Sequence, residues 1–517
     1  MPTSQGQSPG QGQSPGQSQS PGQSQGHPQR WLILGVILLA TLTVLLDNTV
    51  LNVAIPSLTE ELDASTADIQ WMINAYSLVQ SGLLLTAGSS ADRYGRKKML
   101  ATGLALFGIG SLVAGLAQNA TQLIAARAGM GVGGALLMTT TLAVVVQIFD
   151  ETERVKAIGL WSTVNSLGFA AGPLLGGVML EHFWWGAIFL INLPVAALAL
   201  VAVLKLVPES KNPRGDRPDL LGALLSTVGM TGVVYAIISG PEHGWTSLQV
   251  LGSGAVGVAV LAAFARWELS IPHPMLDMHF FRNQRFVGAV AGAILVAFGM
   301  GGSLFLLTQH LQFVLGYEPL EAGLRIAPMA LSVVALNLAG VGARIVAKVG
   351  TPAAIALGMT MLSAGLAAIA LLGGGTDGGY GGMLLGLVVM GAGISVAMPA
   401  MANAIMSAIP PEKAGVGAGV NGTLAEFGVG LGVAVLGAVL HSRFAALITV
   451  AAASLPAALA SAESADERAR ITDAFSSGLE TSQLVGAVAV LLGGLLAAAL
   501  LRRAERADSE SAVTMAA

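Results

Sequence analysis

The sequence predicts an all-α membrane protein of about fourteen transmembrane helices, because apolar runs of roughly 18–25 residues recur along almost the whole chain. Two further observations support that class. Only 10% of the 517 residues are charged while 54% are hydrophobic, and the mean hydropathy is +0.71. A soluble domain usually carries about 25% charge, so a chain this poor in charge could not cover its surface in water. The third observation is the distribution of Lys and Arg, which fall mainly in alternate connecting segments.

Residues 1–28 repeat Ser-Pro-Gly at Ser8, Ser14 and Ser20 between Gln and Gly, and have nothing apolar to bury. They read as a disordered cytoplasmic tail, and the stretch is not basic enough for a signal peptide. The apolar runs lie near 31–55, 69–90, 98–117, 122–148, 155–180, 186–207, 219–239, 248–267, 286–308, 323–343, 352–373, 381–405, 415–440 and 483–502. Each is long enough to cross ~30 Å of hydrocarbon. Residues 444–460 are also apolar but contain Pro456 and are rich in Ala, which reads as a surface or loop helix within a long external loop, 441–482. A cytoplasmic tail, 506–517, completes the chain.

Charge sets the orientation. Arg30, Arg93, Arg96, Lys97, Lys98, Arg154, Lys156, Lys205, Lys211, Arg266, Arg344, Lys413, Arg502 and Arg503 all fall on one side of the predicted bilayer. The opposite side holds Arg443, Arg468 and Arg470, all in the one long loop where such charge weighs least. The basic side is therefore expected to be cytoplasmic, with both termini there.

Several classes are disfavoured. The net charge of −4 gives no basis for nucleic-acid binding, and without cysteine there is no disulfide, thiolate metal site or cysteine nucleophile. No G-x-x-x-x-G-K-[ST] loop is present, and the seven His are scattered, which speaks against an ATPase and against a membrane-embedded enzyme.

Polar residues inside the apolar runs are the candidate functional groups, since each costs free energy unless it pairs or faces a cavity. Asp47, in Leu46–Pro56 together with Asn52, lies about 24 Å along the first helix from Trp31. Arg127 in span four runs from the outside inward and reaches a similar depth; a structural ion pair and a proton relay are both open. Glu426 lies about 18 Å into span thirteen from Ala414, either as a packing group or as a proton or substrate site. Arg325 sits at the edge of span ten, where it can snorkel. Between spans two and three, Gly88, Asp92, Arg93, Gly95 and Arg96 form a G-x-x-x-D-R-x-G-R-K spacing. Gly95 suits a tight turn, and Asp92 can accept from a neighbouring arginine or a helix N-terminus as a latch between bundles, beyond the loop's role in setting topology. Span five presents Gly159, Gly168, Gly172, Pro173, Gly176 and Gly177, a smooth face for close helix approach with one bend, more extensive than generic small-residue packing needs.

Together these segments resemble the major facilitator superfamily, specifically its fourteen-span drug:H⁺ antiporter family, over roughly residues 31–505. Gly88–Lys98 resembles the superfamily's loop-2/3 signature, and Arg127 with Gly129, Gly131 and Gly133 its span-four proton-transfer motif. Gly159–Gly177 resembles the antiporter motif, and Leu46–Pro56 the first-span signature. The chain departs from the family at Ala425-Glu426, where relatives often carry Arg-Gln, and at Gly342–Gly350, a counterpart of the Asp92 loop that lacks the acidic residue. The resemblance implies a six-helix bundle at 29–208, two inserted helices within 209–285 and a second bundle at 286–505. It further implies a monomer in the plasma (inner) membrane that exports small hydrophobic, drug-like substrates against protons. No cofactor or metal is needed, since the proton gradient drives it. Asp47, Asn52, Arg127 and Glu426 would serve proton coupling or the substrate cavity, and the Asp92 loop the cytoplasmic gate. Rival readings are an exporter of one metabolite or antibiotic, an uptake symporter and a transport-dead sensor.

Overall fold

The computed structural model describes residues 28–149, 151–211, 218–373, 380–408, 414–448 and 454–516. The Ser-Pro-Gly tail lies outside them, except for Pro28. Helices account for every regular element among the described residues: α1 (Arg30–Val53), α2 (Ile55–Glu61), α3 (Thr66–Tyr94), α4 (Arg96–Gly115), α5 (Ala120–Ile148), α6 (Glu151–His182), α7 (Ala187–Leu190), α8 (Asn192–Leu206), α9 (Leu220–His243) and α10 (Leu248–Glu268). A 3₁₀ turn at Met278–Arg282 leads into α11 (Gln284–Gln309), whose end tightens into a π turn at His310–Val314. There follow α12 (Pro319–Leu338), α13 (Val341–Val349), α14 (Thr351–Gly373), α15 (Tyr380–Ser407), α16 (Ala414–Leu447), α17 (Leu455–Ala460) and α18 (Ala465–Ala516).

Local chemistry explains the boundaries. Ser65 caps α3 in a reciprocal box with Asp68, each side chain meeting the other's backbone N–H. Asn119, Asp219, Ser247 and Ser454 accept from the first turns of α5, α9, α10 and α17. Among the described residues, twelve spans are long and apolar enough to cross a membrane. They match the expected runs except those at 69–90 and 155–180. The corresponding helices, α3 and α6, are 29 and 32 residues long. Polar content keeps α3 out of that set, since it buries Gln70, Asn74, Ser77, Gln80 and Ser81, whereas much of α6 lies outside the residues whose side chains are described.

Three expectations need correction. The external loop is much shorter than 441–482, because α16 continues to Leu447 and α18 already begins at Ala465. Ser464 starts that helix by accepting from the Glu467 N–H, and Ile471, Ala474, Phe475 and Leu479 give it a buried stripe. The 444–460 stretch holds no single helix: 444–447 end α16 and the short α17 packs Leu455 and Ala458 inward. The counterpart of the Asp92 loop is likewise a helix, α13, entered through Gly340 in a left-handed conformation (φ +64°).

Two groups of helices emerge. In the first, α3 and α4 pack on α5, and α1 on α6 and α8; in the second, α14 packs on α15 and α18, and α11 on α16 and α18. The groups meet along α3–α16 and α6–α12, and the α9–α10 hairpin lies against that seam through α9. The end of the molecule carrying Arg93–Lys98 is called the basic end below, and the other the far end.

Candidate functional site

Asp47 and Arg127 meet in the first bundle. Both are almost wholly buried, at 4% and 1% exposure, and their side chains form a direct salt bridge. Burying two charges costs several kcal/mol each, and only close pairing plus further hydrogen bonds offsets it. Those bonds are present. Arg127 Nε donates to the Met72 carbonyl of α3 (3.1 Å), and the guanidinium stacks 4.4 Å from the Tyr76 ring centroid. Asn192 Nδ2, at the start of α8, lies 3.4 Å from the second Asp47 oxygen and 3.3 Å from Ser111 Oγ of α4. Four helices besides α1 thus converge on one carboxylate, directly or through its arginine. The spacing argument placed Asp47 and Arg127 at one depth and the structure joins them; Asn192, Ser111 and Tyr76 escaped it, although a lone amide at the head of an apolar run is a readable signal.

Glu426 approaches the same place from the second bundle. α16 lays its glycines on α3: a Cβ at Gly430 would fall 2.6 Å from Asn74 Oδ1, one at Gly422 2.7 Å from Leu84 Cδ2, and one at Gly437 1.8 Å from Gln70 Nε2. Glu426 stands between the Gly422 and Gly430 levels, half-buried, and interacts electrostatically with both Arg127 and Tyr76. The polar stripe of α3 (Gln70, Asn74, Ser77 and Ser81, one to two turns apart) faces that seam. Asn74 Oδ1, Tyr76 Oη and Gln80 Oε1 are buried without a hydrogen-bond partner among the described residues.

The span-five glycines form the other seam. Cβ atoms at Gly168 and Gly172 would strike Leu45 and Thr49 of α1, and one at Gly176 would press on Val50. On the opposite side a Cβ built on Gly177 would fall 2.4 Å from Leu320 Cα of α12, and one built on Gly323 2.4 Å from the Pro173 carbonyl. Gly159 lies in α6, where no contact of its own is described. Between these helices a small cavity is lined by Thr49, Asn52, Pro173, Thr308, Ile326 and Ala330. Asn52 itself reaches back to the Asn48 carbonyl at 3.4 Å. At the far end Gln312 Nε2 donates to the Val53 carbonyl (3.0 Å), a direct bond between the bundles.

The Asp92 loop is organised differently from the latch expected. Asp92 accepts two bonds from Arg96 (3.0 and 2.8 Å), and Arg96 Nη1 donates to the Ala143 carbonyl of α5. These partners all belong to the first bundle, so in this structure Asp92 does not join the bundles. The N-terminus of α4 is met instead by Glu209, which accepts from the Lys97 N–H, while the Arg96 N–H donates to the Ser210 carbonyl. Gly95 makes the turn at φ +118°, with the Glu209 carboxylate 2.6 Å from where a Cβ would stand. Gly88 has open space around it. Arg325, expected at a helix edge, lies in the second turn of α12 with its guanidinium 3.6 Å from the Tyr317 ring centroid and 5.8 Å from that of Tyr380.

A buried carboxylate–guanidinium pair lies in one helix bundle with a carboxyl of the second nearby, and sequence comparison gives the family. Residues 37–433 match the model of the Major Facilitator Superfamily. The chain belongs to that superfamily. It is 35% identical over 410 residues to the multidrug resistance protein Stp of Mycobacterium tuberculosis, covering 78% of this chain and 75% of that protein. It is 32% identical over 498 residues to the multidrug efflux pump LfrA of Mycolicibacterium smegmatis, covering 92% and 97%. Among solved structures, a bacterial homolog of the human lysosomal transporter Spinster, inward-facing and unoccupied, superposes with a TM-score of 0.66 over 92% of this chain and 97% of that one. At 16% identity that likeness concerns the fold alone. The chain is therefore a multi-pass membrane protein of a transporter superfamily.

Proposed function

We propose that this superfamily member exports hydrophobic, drug-like compounds in exchange for protons, by alternating access. One observation carries the reading: the buried Asp47–Arg127 pair lies beside the bundle seam, with Glu426 of the opposite bundle within its field. Protonating Asp47 removes the charge that holds Arg127, whose guanidinium then has Glu426 as its remaining carboxylate. The pairing of one arginine thereby couples proton uptake to the relative position of the bundles. The efflux and resistance proteins it resembles support the direction of transport.

In the same reading α3 and α6 also cross the bilayer, giving fourteen spans in two six-helix bundles with α9 and α10 inserted. The basic end faces the cytoplasm, as the excess of Lys and Arg there requires. The far end, closed through Gln312–Val53 and Gly177–Leu320, is then the extracellular side, and the protein works as a monomer in the plasma membrane. The Asp92–Arg96 loop gates the cytoplasmic side, with no cofactor or metal in the cycle and no role as an enzyme.

The deciding experiment is dye transport into inverted vesicles under an imposed ΔpH. Asp47→Asn should abolish proton-driven transport while dye binding persists, whereas undiminished transport would remove Asp47 from coupling. A single-compound specialist would show in a resistance profile confined to one chemical class.

A further inference from the structure

The second bundle contains a buried polar cluster that the mechanism above does not use. His310 opens the π turn at the end of α11, has no solvent exposure, and neither ring nitrogen has a hydrogen-bond partner among the described residues. The Gly373 carbonyl of α14 is near enough to attract a ring proton, without forming a bond of normal geometry. α11 and α18 run antiparallel, with Gln483 Nε2 donating to Ser303 Oγ at 2.9 Å. Two turns toward the far end on each helix, that register sets His310 opposite Ser476. Ser476 Oγ is buried and, like Gln483 Oε1 two turns away, has no hydrogen-bond partner among the described residues.

Unpartnered buried polar atoms each cost about 1–3 kcal/mol, so an unpartnered imidazole facing Ser476 Oγ is an unbalanced site. A neutral imidazole carries one N–H donor, whereas the protonated ring carries two. Two acceptors it would then need are close by: the Gly373 carbonyl and, in the α11–α18 register, Ser476 Oγ. π turns, moreover, are metastable distortions often found at functional positions. This one holds a second informative residue, since Gln312, two positions after His310, makes the Val53 bond across the far end.

We propose that His310 is a second proton-binding site, and that loading it releases the far-end contact between the bundles. Protonation draws the imidazole toward α14 and α18, shifts the π turn it begins, and withdraws Gln312 from Val53. Among the described residues, charged groups do not dictate this titration. α14 has none, Asp473 and Glu480 of α18 and Glu318 and Glu321 at the start of α12 are exposed, and Arg325 is stacked on Tyr317. None of them interacts with His310. The site rests on the proton-driven reading for its role in export, but its own signature requires no transport.

The test measures accessibility of the far-end cavity without any gradient. The chain has no cysteine, so Ala330→Cys supplies a single reporter in the cavity wall, labelled by a membrane-impermeant thiol reagent added from the far side. Labelling, corrected for thiolate fraction, should rise about five-fold from about pH 8 to about pH 3, an interval wide enough to load a fully buried imidazole. His310→Gln should flatten that transition, and a transition that survives the substitution overturns the proposal. Gln312→Ala keeps His310 and should label at the low-pH level throughout; wild-type labelling in that variant overturns the link to the seal. Ser476→Ala, milder than either, should weaken the transition, so the proposal remains testable if His310→Gln does not fold. A flat wild-type profile in a protein that still exports dye under ΔpH sinks this inference alone. An intact, His310-dependent transition in a protein with no proton-driven flux sinks the proposed function alone.

Discussion

The two bundles handle intramembrane polarity in opposite ways. The first buries a full ion pair and completes it: Asp47 has Arg127 and Asn192, and Arg127 has Asp47, the Met72 carbonyl and the Tyr76 ring. The second leaves Glu426 half-buried at the seam and His310 without a hydrogen-bond partner among the described residues. A completed pair is rigid because removing either member strands the other in low dielectric, whereas an incomplete group can gain a proton or a partner at little cost to its neighbours. The difference assigns the first bundle the anchoring charge and the second the groups free to respond. Glu426 and His310 acquire meaning only through what faces them.

That contrast can be broken most directly at the anchor. Arg127→Leu should lower stability by about 3–5 kcal/mol, because it strands Asp47 without a counter-charge. The measurement is thermal unfolding in detergent together with the yield of folded protein, and a loss below about 1 kcal/mol would mean the pair is not the anchor. A double substitution, Arg127→Leu with Asp47→Leu, should recover much of the stability while transport stays lost. Next in size is Gly177→Val, which forces a branched side chain into the α12 backbone at Leu320 and should reduce transport by at least about ten-fold, read as dye efflux. Gly88→Ala, in open space, is its control and should transport normally. Glu426→Gln removes a half-buried charge and should change stability by less than about 1 kcal/mol while altering the proton dependence of transport, the reverse of the Arg127 result. The smallest difference is between the two basic-end loops. Gly95→Ala should cost about 1–2 kcal/mol and Gly340→Ala about 1, since both have positive φ but only Gly95 also faces a carboxylate, that of Glu209. Equal losses would show that Glu209 simply moves aside.

Much of the fold was legible because lipid imposes a strict rule on sequence. Any segment that crosses hydrocarbon must be about 20 residues long and satisfy its own backbone, so hydropathy located twelve of the helices directly. The reading placed α3 and α6 as well, and their polar and small residues serve the interface between bundles. Where the constraint of lipid ends, the reading weakened: the aqueous segment at 465–482 looked like loop, yet Ser464 and the Ile471, Phe475, Leu479 stripe make it the first turns of α18.

Sequence alone determined the class of the protein, the order of its helices, its asymmetry of charge and the identity of the residues too costly to bury idly. Asp47, Arg127 and Glu426 were visible because a charge in an apolar run is exceptional. What each of them meets was decided by tertiary structure. Asn192 on Asp47, Glu209 at Gly95, Gln312 on Val53 and the unpartnered ring of His310 all join segments that no helical periodicity relates. A hydrogen bond depends on a few tenths of an ångström between side chains, whereas periodicity reports only which face of a helix is apolar.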